Sequence, residues 1–469
     1  MAITSVALAS CAGAKKYPVA PTSDTVDFYF GEKIADPYRP LENDTAAETL
    51  VWVEQERALT EDYLSKIPFR GALRHRISDF NNYVKQGAPF LGADGRYYFF
   101  RNDGLKNQSV LYRSDKPVGG KEEVFLDPNS LSDDGTVALT GTSMSNDGRY
   151  MAYTISRSGS DWTEIYVLDT ETGRLLDDHI EWAKFTDAAW WKDGFFYSAY
   201  DRPVAGKEFS NANENHRIYY HKLGTPQSSD VLAFEDKEHP LHFHTAYVPE
   251  NERSLFVFVG GQGFGEGMMV KDLTRPDAKW VVMEPSQDYS NSVVDVIGDD
   301  VYILTSADAQ RNRLVKAPLS NPVRANWQTV APEQEGVLTG VSRSGNDLIL
   351  TYEKDASVYP AVYSLDGSKI RDIELPTYGT VGISSSAKSD EVFYNFASFL
   401  YPSSIYAFDK TTGESRLLTK PEIKNFNPAD YVTEQVFYTS SDGTKVPMFL
   451  TYKKGLKRDG SNPVYLYGY

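Results

Sequence analysis

The sequence NDGRYMAY at residues 146–153 is the clearest copy of a unit that recurs along most of the chain. Each unit has a Gly/Asp turn, an aromatic strand, a polar loop and a second strand. Close copies begin with ADGRYYFF at residues 93–100 and KDGFFY at residues 192–197, and weaker copies begin at residues 251, 298, 345 and 388. Units of about 50 residues with about four short strands each are the repeat signature of a β-propeller.

These copies predict a fold dominated by β-structure, with a seven-bladed β-propeller over residues 71–430. The same strands would also suit a stack of β-sandwiches, but the regular spacing and the lack of interrupting helical patterns argue against that arrangement. The Gly- and Ser-rich stretches between strands are typical of turns rather than of linkers.

Composition excludes several classes of function. With 65 acidic and 48 basic side chains in 469 residues, the net charge is −17, so a phosphate backbone would be repelled and nucleic acid is not expected as a partner. No apolar run reaches the roughly 18 residues that a membrane-spanning helix needs.

The first 16 residues differ in composition from the rest of the sequence. Residues 1–14 are small and apolar, and LASC at residues 8–11 contains the one cysteine of the sequence. This tetrad resembles a bacterial lipobox, which implies lipidation of Cys11, membrane attachment through the lipid and a polar tether after it. A secretory signal normally opens with positive charge, and none precedes Ile3, so a frayed tail with a chance cysteine is the alternative.

Residues 17–70 predict a helical segment. DPYRPLE at residues 36–42 indicates an extended stretch set by its prolines, and a helix is predicted from Thr45 to Ile67. Leu50, Val53 and Tyr63 recur at near-helical spacing, which gives the helix one face for packing.

The C-terminal stretch predicts a β-hairpin followed by a strand. Residues 434–452 alternate apolar and polar side chains on both sides of SDGT at residues 441–444, a pattern typical of a hairpin with an Asp-Gly turn. Pro447 in the second arm suits an edge strand. NPVYLYGY at residues 462–469 indicates a short apolar strand that runs into a Gly-aromatic turn.

These terminal stretches resemble the prolyl oligopeptidase family of serine peptidases, at the point where its propeller leads into its α/β-hydrolase domain. The DPYR segment with its helix, SGSDW at residues 158–162 and AKFTDAAW at residues 183–190 resemble further parts of that family. Pro40 departs from the family's usual tryptophan. The resemblance implies that residues 17–70 pack on the hydrolase domain and that residues 431–469 are its first hairpin and strand, with the domain truncated there.

The resemblance also implies roles for individual residues. Tyr469 matches the tyrosine that donates its phenol to the oxyanion hole, Asp161 matches an aspartate that pairs across the domain interface, and Phe185 matches a wall of the outer substrate subsites. Val270 lies in a region expected to face the cavity. From the residues alone, Tyr469 is best explained as an ordinary strand-end aromatic, and Phe185 is equally a core side chain of a blade.

The resemblance implies an endopeptidase that cleaves short, proline-containing peptides after proline through a serine nucleophile, with the propeller as a size filter and without a cofactor. No Gly-x-Ser-x-Gly motif occurs, so the Ser/Asp/His triad has no positions here and these residues alone are expected to be inactive. The protein is expected to be a monomer, periplasmic or membrane-anchored, with a cytoplasmic location as the alternative. A stand-alone propeller that acts as a binding scaffold, and a glycan-processing propeller enzyme, are the competing functions.

Three other patterns have ordinary structural explanations. His239, His242 and His244, with Asp236 and Glu238 nearby, are the one group with metal-ligand character, but surface histidines are the preferred interpretation and no metal is predicted. GGQGFGEG at residues 260–267 lacks the Lys-Ser/Thr of a phosphate loop and predicts a flexible loop. The aspartates that precede glycine, at positions 94, 147 and 193, are expected to hold their own turns rather than act as glycosidase acids.

Overall fold

A computed structural model describes residues 16–204 and 212–468. The chain divides into two compact units, one with residues 1–79 and 203–212 and the other with residues 80–202 and 213–469. Across the described residues, neither α-helix combines the length and the apolar character that crossing a membrane requires. Cys11 and Tyr469 lie outside the described residues, so their predicted roles stay predictions.

The first unit begins with a hairpin of strands β1 (Val26–Tyr29) and β2 (Glu32–Ala35), which the sequence did not suggest. The guanidinium of Arg39 binds the carboxylates of both Asp27 and Asp36, and so fastens the hairpin to the segment that follows it. That segment was predicted to be extended. Residues Arg39–Glu42 instead form a turn of 3-10 helix, because a proline near the start of a helix costs no backbone hydrogen bond.

The predicted long helix is confirmed as α1 (Ala47–Ser65). A second helix, α2 (Arg70–Asn81), was not predicted, and the predicted start of the propeller at residue 71 falls inside it. Leu73, Ile77 and Phe80 recur at helical spacing within α2, but the segment is rich in basic residues, which hid this pattern. The boundary between the two units falls at residues 79 and 80, near the end of this helix.

The second unit consists mainly of antiparallel sheets that follow one another along the chain. The first sheet contains β3 (Lys85–Gln86), β4 (Phe90–Leu91), β5 (Tyr97–Asn102), β6 (Val110–Ser114) and β7 (Glu122–Leu126). The second sheet has eight strands: β8 (Val137–Met144), β9 (Tyr150–Arg157), β10 (Thr163–Asp169), β11 (Leu175–Ala183), β12 (Ala189–Trp191), β13 (Gly194–Ala199), β14 (Arg217–Lys222) and β15 (Val231–Glu235). Its two halves, β8–β11 and β12–β15, join through the register pair Ala183–Ala199.

Four four-stranded sheets complete the series. The third contains β16 (Phe243–Tyr247), β17 (Ser254–Gly260), β18 (Gly267–Asp272) and β19 (Val281–Glu284). The fourth contains β20 (Asn291–Ile297), β21 (Asp300–Thr305), β22 (Arg313–Pro318) and β23 (Gln328–Ala331). The fifth contains β24 (Val337–Ser344), β25 (Asp347–Lys354), β26 (Ser357–Ser364) and β27 (Lys369–Asp372), and the sixth contains β28 (Thr380–Ser386), β29 (Ser389–Ala397), β30 (Ser404–Phe408) and β31 (Ser415–Thr419).

The hydrophobic core of this unit lies between successive sheets. Buried side chains of the first sheet pack on β8–β10, those of β9–β11 pack on β12–β13, and the same relation continues through to the sixth sheet. The sixth sheet contacts the first. Ser384 Oγ donates to the Pro89 carbonyl at 2.7 Å, and the rings of Tyr97 and Phe393 pack edge to face with their centroids 6.2 Å apart. The predicted β-dominated architecture is confirmed, and the blade number of seven stays a prediction.

The turn aspartates behave largely as expected. Asp94 Oδ1 accepts from the Arg96 N–H at 3.1 Å, and Asp147 Oδ1 accepts from the Arg149 N–H at 3.0 Å. Asp193 differs, because its carboxylate accepts from the Tyr220 hydroxyl at 2.9 Å. These contacts give each carboxylate a structural partner.

The predicted C-terminal hairpin is present as β32 (Tyr431–Thr439) and β33 (Lys445–Lys453), with the Asp442-Gly443 turn between them. Gln435 donates to the Asp355 carbonyl at 2.5 Å, and the Phe449 ring lies 5.3 Å from the Phe399 ring, so the hairpin packs on loops of the fifth and sixth sheets. The strand predicted after it does not form in the part of it that the structure describes, residues 462–468. Residues 463–468 pair with no other strand in the described chain, and their large side chains are exposed.

Candidate functional site

Two of the predicted site residues are brought together by a lysine that the sequence reasoning missed. Lys184 Nζ lies 3.8 Å from Asp161 Oδ2, and it also lies over the rings of Trp162 and Phe185, at 5.0 and 5.3 Å from their centroids. Asp161 follows the β9–β10 turn, and Phe185 follows the end of β11. Because β10 and β11 are adjacent antiparallel strands of the second sheet, both residues lie at the same end of this strand pair.

Lys184 is unusual because its side chain is only 9% exposed. Burying an ammonium group away from water is unfavourable unless other groups replace its hydration. Here one carboxylate and the faces of two aromatic rings surround it, and aromatic faces attract cations. A lysine directly before a predicted aromatic site residue was the one sequence signal that could have identified it.

Phe185 presents its ring to solvent instead of to the core. Its side chain is 50% exposed, which excludes the alternative of a blade-core residue. Its backbone φ of 51° lies in the left-handed region, where a bulky residue is strained. Its ring lies 5.7 Å from the Phe243 ring and 6.3 Å from the His216 ring, so it forms the outer part of an aromatic cluster.

His216 is the inner member of this cluster and is completely buried. Its Nδ1 accepts from the His244 backbone N–H at 2.8 Å, so its proton lies on Nε2, which donates to the Lys184 carbonyl at 3.0 Å. A second proton, on Nδ1, would point at the His244 backbone N–H and would abolish this hydrogen bond. Burial, helped by the nearby charges of His244 and Lys184, lowers the pKa of His216 to about 4 against the opposing hydrogen bond to the Lys184 carbonyl, and so keeps the ring neutral.

Val270, predicted to face the cavity, lies elsewhere. Its side chain is 4% exposed and packs with Phe256 and Met283 in the core between the third and fourth sheets. A side chain in that position presents no surface to a ligand, so the structure lends its predicted contact with substrate no support.

The histidines near residue 240 also differ from expectation. His239 is exposed as predicted, but the prediction of surface histidines is wrong for His242 and His244, which are 6% and 0% exposed. Both are covered because they flank Phe243 at the start of β16, where the second and third sheets pack together. His244 donates through Nδ1 to the His216 carbonyl at 2.9 Å.

Asp236, His239 and His242 together have the donor atoms of a metal site. The Nδ1 atoms of the two histidines lie 2.9 and 3.5 Å from Asp236 Oδ2, and the three ligand atoms lie within 4.8 Å of one another. However, the two rings are stacked at 4.6 Å with only 8° between their planes. Nitrogen lone pairs lie in the ring plane, so two nearly parallel rings aim poorly at one ion.

The hydrogen bonds of His242 also argue against a bound metal ion. Gln287 Oε1 accepts from the Gln262 N–H at 2.7 Å, which leaves the Gln287 amide nitrogen facing His242 Nε2 at 3.2 Å. An amide N–H donates only to an unprotonated ring nitrogen, so the His242 proton lies on Nδ1, where a metal would have to bind. The cluster therefore fits one histidine, His239, that donates to the Asp236 carboxylate at 2.9 Å, and a second, His242, whose protonated Nδ1 faces the same carboxylate at 3.5 Å.

Comparison with known proteins gives a consistent result. Residues 18–421 match the family described as prolyl oligopeptidase, N-terminal beta-propeller domain. The chain is 42% identical over 457 residues to a prolyl endopeptidase of Elizabethkingia meningoseptica and 41% identical over 457 residues to one of Elizabethkingia miricola. In each case the alignment covers 97% of this chain and 64% of the relative, so the chain spans just under two thirds of those proteins.

Among solved structures, the chain resembles prolyl oligopeptidase B from Galerina marginata bound to a 25-mer macrocyclization substrate, with a TM-score of 0.83 and 27% identity. The match covers 94% of this chain and 66% of that one.

Proposed function

The chain belongs to the prolyl oligopeptidase family, and we propose that it is the propeller-containing part of a serine endopeptidase that cleaves short peptides after proline. The observation that carries the proposal is the alignment, at 42% identity, of 97% of the chain with a prolyl endopeptidase. That alignment leaves about a third of the relative uncovered. The serine, aspartate and histidine of the triad belong to that remaining part, since no serine elbow occurs in these 469 residues.

The propeller contributes selection by size rather than chemistry. A closed series of sheets restricts access to an enclosed site through steric exclusion, so short unfolded peptides enter and folded proteins do not. Asp161 and Phe185 support the proposal because both lie at one edge of the second sheet, where an exposed aromatic ring and a carboxylate are available to a peptide or to a second domain.

Tyr469 would supply the remaining element of this chain's chemistry. A phenol with a pKa near 10 stays protonated at neutral pH, so it donates a hydrogen bond to an oxyanion as the negative charge forms. No cofactor is needed for acyl transfer to a serine.

The test is cleavage of fluorogenic peptides by the full-length protein that carries this chain. We expect a peptide with proline before the scissile bond to be cleaved, and the matched peptide with alanine in place of proline to be cleaved far more slowly. The same proline sequence placed in a loop of a folded protein should resist cleavage. If the proline peptide stays intact, the peptidase proposal fails and a non-catalytic binding scaffold becomes the better account.

Location is a separate proposal. We place the protein at the periplasmic face of a membrane, anchored through a lipid on Cys11, because LASC at residues 8–11 fits a lipobox. Mass spectrometry of the N-terminal peptide from cells should show the lipid mass. Replacement of Cys11 with alanine should release the protein into the soluble fraction, and an unlipidated wild-type N-terminus would refute the proposal.

A further inference from the structure

The glycine-rich loop at residues 260–267, which was predicted to be flexible, is hydrogen-bonded to the segment that follows β19. The Gly265 N–H donates to the Gln287 carbonyl at 2.8 Å, and the Glu266 N–H donates to the Tyr289 carbonyl at 2.9 Å. A Cβ atom at Gly265 would lie 1.9 Å from the Tyr289 carbonyl oxygen. Glycine is therefore required for this approach, and the loop has a defined shape.

The shape of the loop directs one aromatic ring outward. Phe264 stands between Gly263 and Gly265, and its side chain is completely exposed. A Cβ atom at Gly263 would lie 2.0 Å from the Gln287 carbonyl oxygen, so both neighbours of Phe264 are pressed against the adjoining segment. The Phe264 ring therefore lies on the surface, where a ligand can contact it.

A cavity of about 320 Å³ lies beside this loop. Phe243 and Phe264 line it together with Glu266, Ser290 and Asn291. Phe243 lines the cavity and its ring lies 5.7 Å from the Phe185 ring, so the cavity borders the aromatic cluster of Phe185, Phe243 and His216. A peptide lying against Phe185 would thus have a side chain within reach of the cavity.

The carboxylate of Glu266 gives the cavity its charge preference. Glu266 is partly buried, and its carboxylate makes neither a hydrogen bond nor an ion pair with any part of the chain that the structure describes. Burial raises the pKa of this carboxyl, because removing a charge from water is unfavourable and no counter-charge among the described residues offsets this cost. Most buried charges in proteins have a partner, so this carboxylate is suited to one supplied by a ligand.

We propose that this cavity is a subsite for a lysine or arginine side chain of the bound oligopeptide, with Glu266 as the counter-charge and the rings of Phe243 and Phe264 against the aliphatic stem. Lysine and arginine bury their stems on apolar surface and place the charge at a polar tip, and aromatic faces also attract the cation. The net charge of −17 favours approach of a basic peptide. The assignment rests on the proposed peptidase function and names a substrate preference within it.

The experiment compares pairs of N-acetylated, proline-containing peptides with the full-length protein at pH 8, which lies well above the ordinary pKa of a glutamate carboxyl. Within each pair, one position on the N-terminal side of the proline carries either lysine or norleucine, which keeps the four-carbon stem of lysine and lacks its amino group. A separate pair tests each such position. We expect one position at which kcat/KM for the lysine peptide exceeds that for the norleucine peptide by about five- to tenfold, the size of one partly buried ion pair.

The variant Glu266→Gln should abolish this ratio, while Glu414→Gln, at an exposed turn of the sixth sheet, should retain it. Raising the salt concentration should reduce the ratio in the wild type. A ratio near one at every position, or a ratio that survives in Glu266→Gln, overturns the subsite although proline cleavage continues. If neither peptide of any pair is cleaved, the peptidase proposal itself fails and the subsite fails with it.

Discussion

His221 Nδ1 lies 2.8 Å from Asp230 Oδ1, and neither side chain is more than 2% exposed. The other ring nitrogen of His221 lies 3.1 Å from Asp178 Oδ1, so the imidazole bridges two buried carboxylates. These contacts connect β14 with β11 and with the loop before β15. Because both ring nitrogens face carboxylates, the ring is held as the imidazolium ion, and the pKa of His221 is raised by its hydrogen bonds and ion pairs despite opposing desolvation.

Replacement of His221 with glutamine should therefore be strongly destabilising. One amide can donate to only one carboxylate, while its oxygen faces the other, so two buried acids lose their counter-charge. We expect a loss of about 3 kcal/mol in the free energy of unfolding at pH 6, measured by urea titration, because breaking a buried ion pair costs that much.

The loss should depend on pH in a defined direction. A histidine whose folded pKa is raised stabilises fully below its unfolded pKa of about 6.5, and that contribution declines as the pH rises towards the folded pKa. The difference between wild type and His221→Gln should thus be smaller at pH 9 than at pH 6. His75→Gln, at an exposed position of α2, serves as the control and should cost little at either pH. A His221→Gln difference that is the same at both pH values would contradict the charged state.

His216 should respond to pH in the opposite direction. Its folded pKa of about 4 lies below the unfolded value, so its stabilising effect is present above about pH 6.5 and is lost as the pH falls towards 4. Between pH 7.5 and 4.5 this single group should reduce the free energy of unfolding by about 2–3 kcal/mol. The variant His216→Gln should lack this part of the acid sensitivity. Parallel urea titrations of wild type and variant that decline equally would show that His216 is not neutral in the fold.

The aliphatic stem of Lys184 should contribute more to the free energy of unfolding than its charge does. Lys184→Met keeps a stem of similar length against Trp162 and Phe185 and removes a buried charge, so we expect a change within about 1 kcal/mol. Lys184→Ala removes the stem and should cost about 2 kcal/mol. Thermal and urea unfolding of the two variants distinguish these effects. Equal losses in both variants would show that the ion pair with Asp161 holds this edge of the sheet.

Tyr469→Phe tests the proposed oxyanion donor in the full-length protein. Loss of one such hydrogen bond should lower kcat about a hundredfold and leave KM nearly unchanged, because the interaction forms mainly in the transition state. Tyr29→Phe removes a phenol at an exposed position of β1 and should leave kcat unaltered. Undiminished turnover in Tyr469→Phe would remove this residue from the mechanism.

Much of the fold could be predicted because the repeat is local. The Gly/Asp turns, the aromatic strands and the Asp-Gly hairpin each depend on side chains a few positions apart, so their patterns survive in a single sequence. Helix α2 was missed because its large apolar side chains, Leu73, Ile77 and Phe80, are interspersed with charged ones. The strand predicted at residues 462–469 did not form in the described part because strand pairing depends on a partner.

The amino-acid sequence by itself determined the β-dominated repeat, the acidic surface and the absence of a serine elbow from these residues, since each depends only on local pattern or on composition. Only the tertiary structure shows that Lys184 lies between Asp161 and Phe185, that Val270 and His244 are buried, and that the Glu266 carboxylate lines a cavity and has no partner among the described residues. Burial and charge pairing depend on residues far apart in the chain, and only the packing of one sheet against the next brings them together.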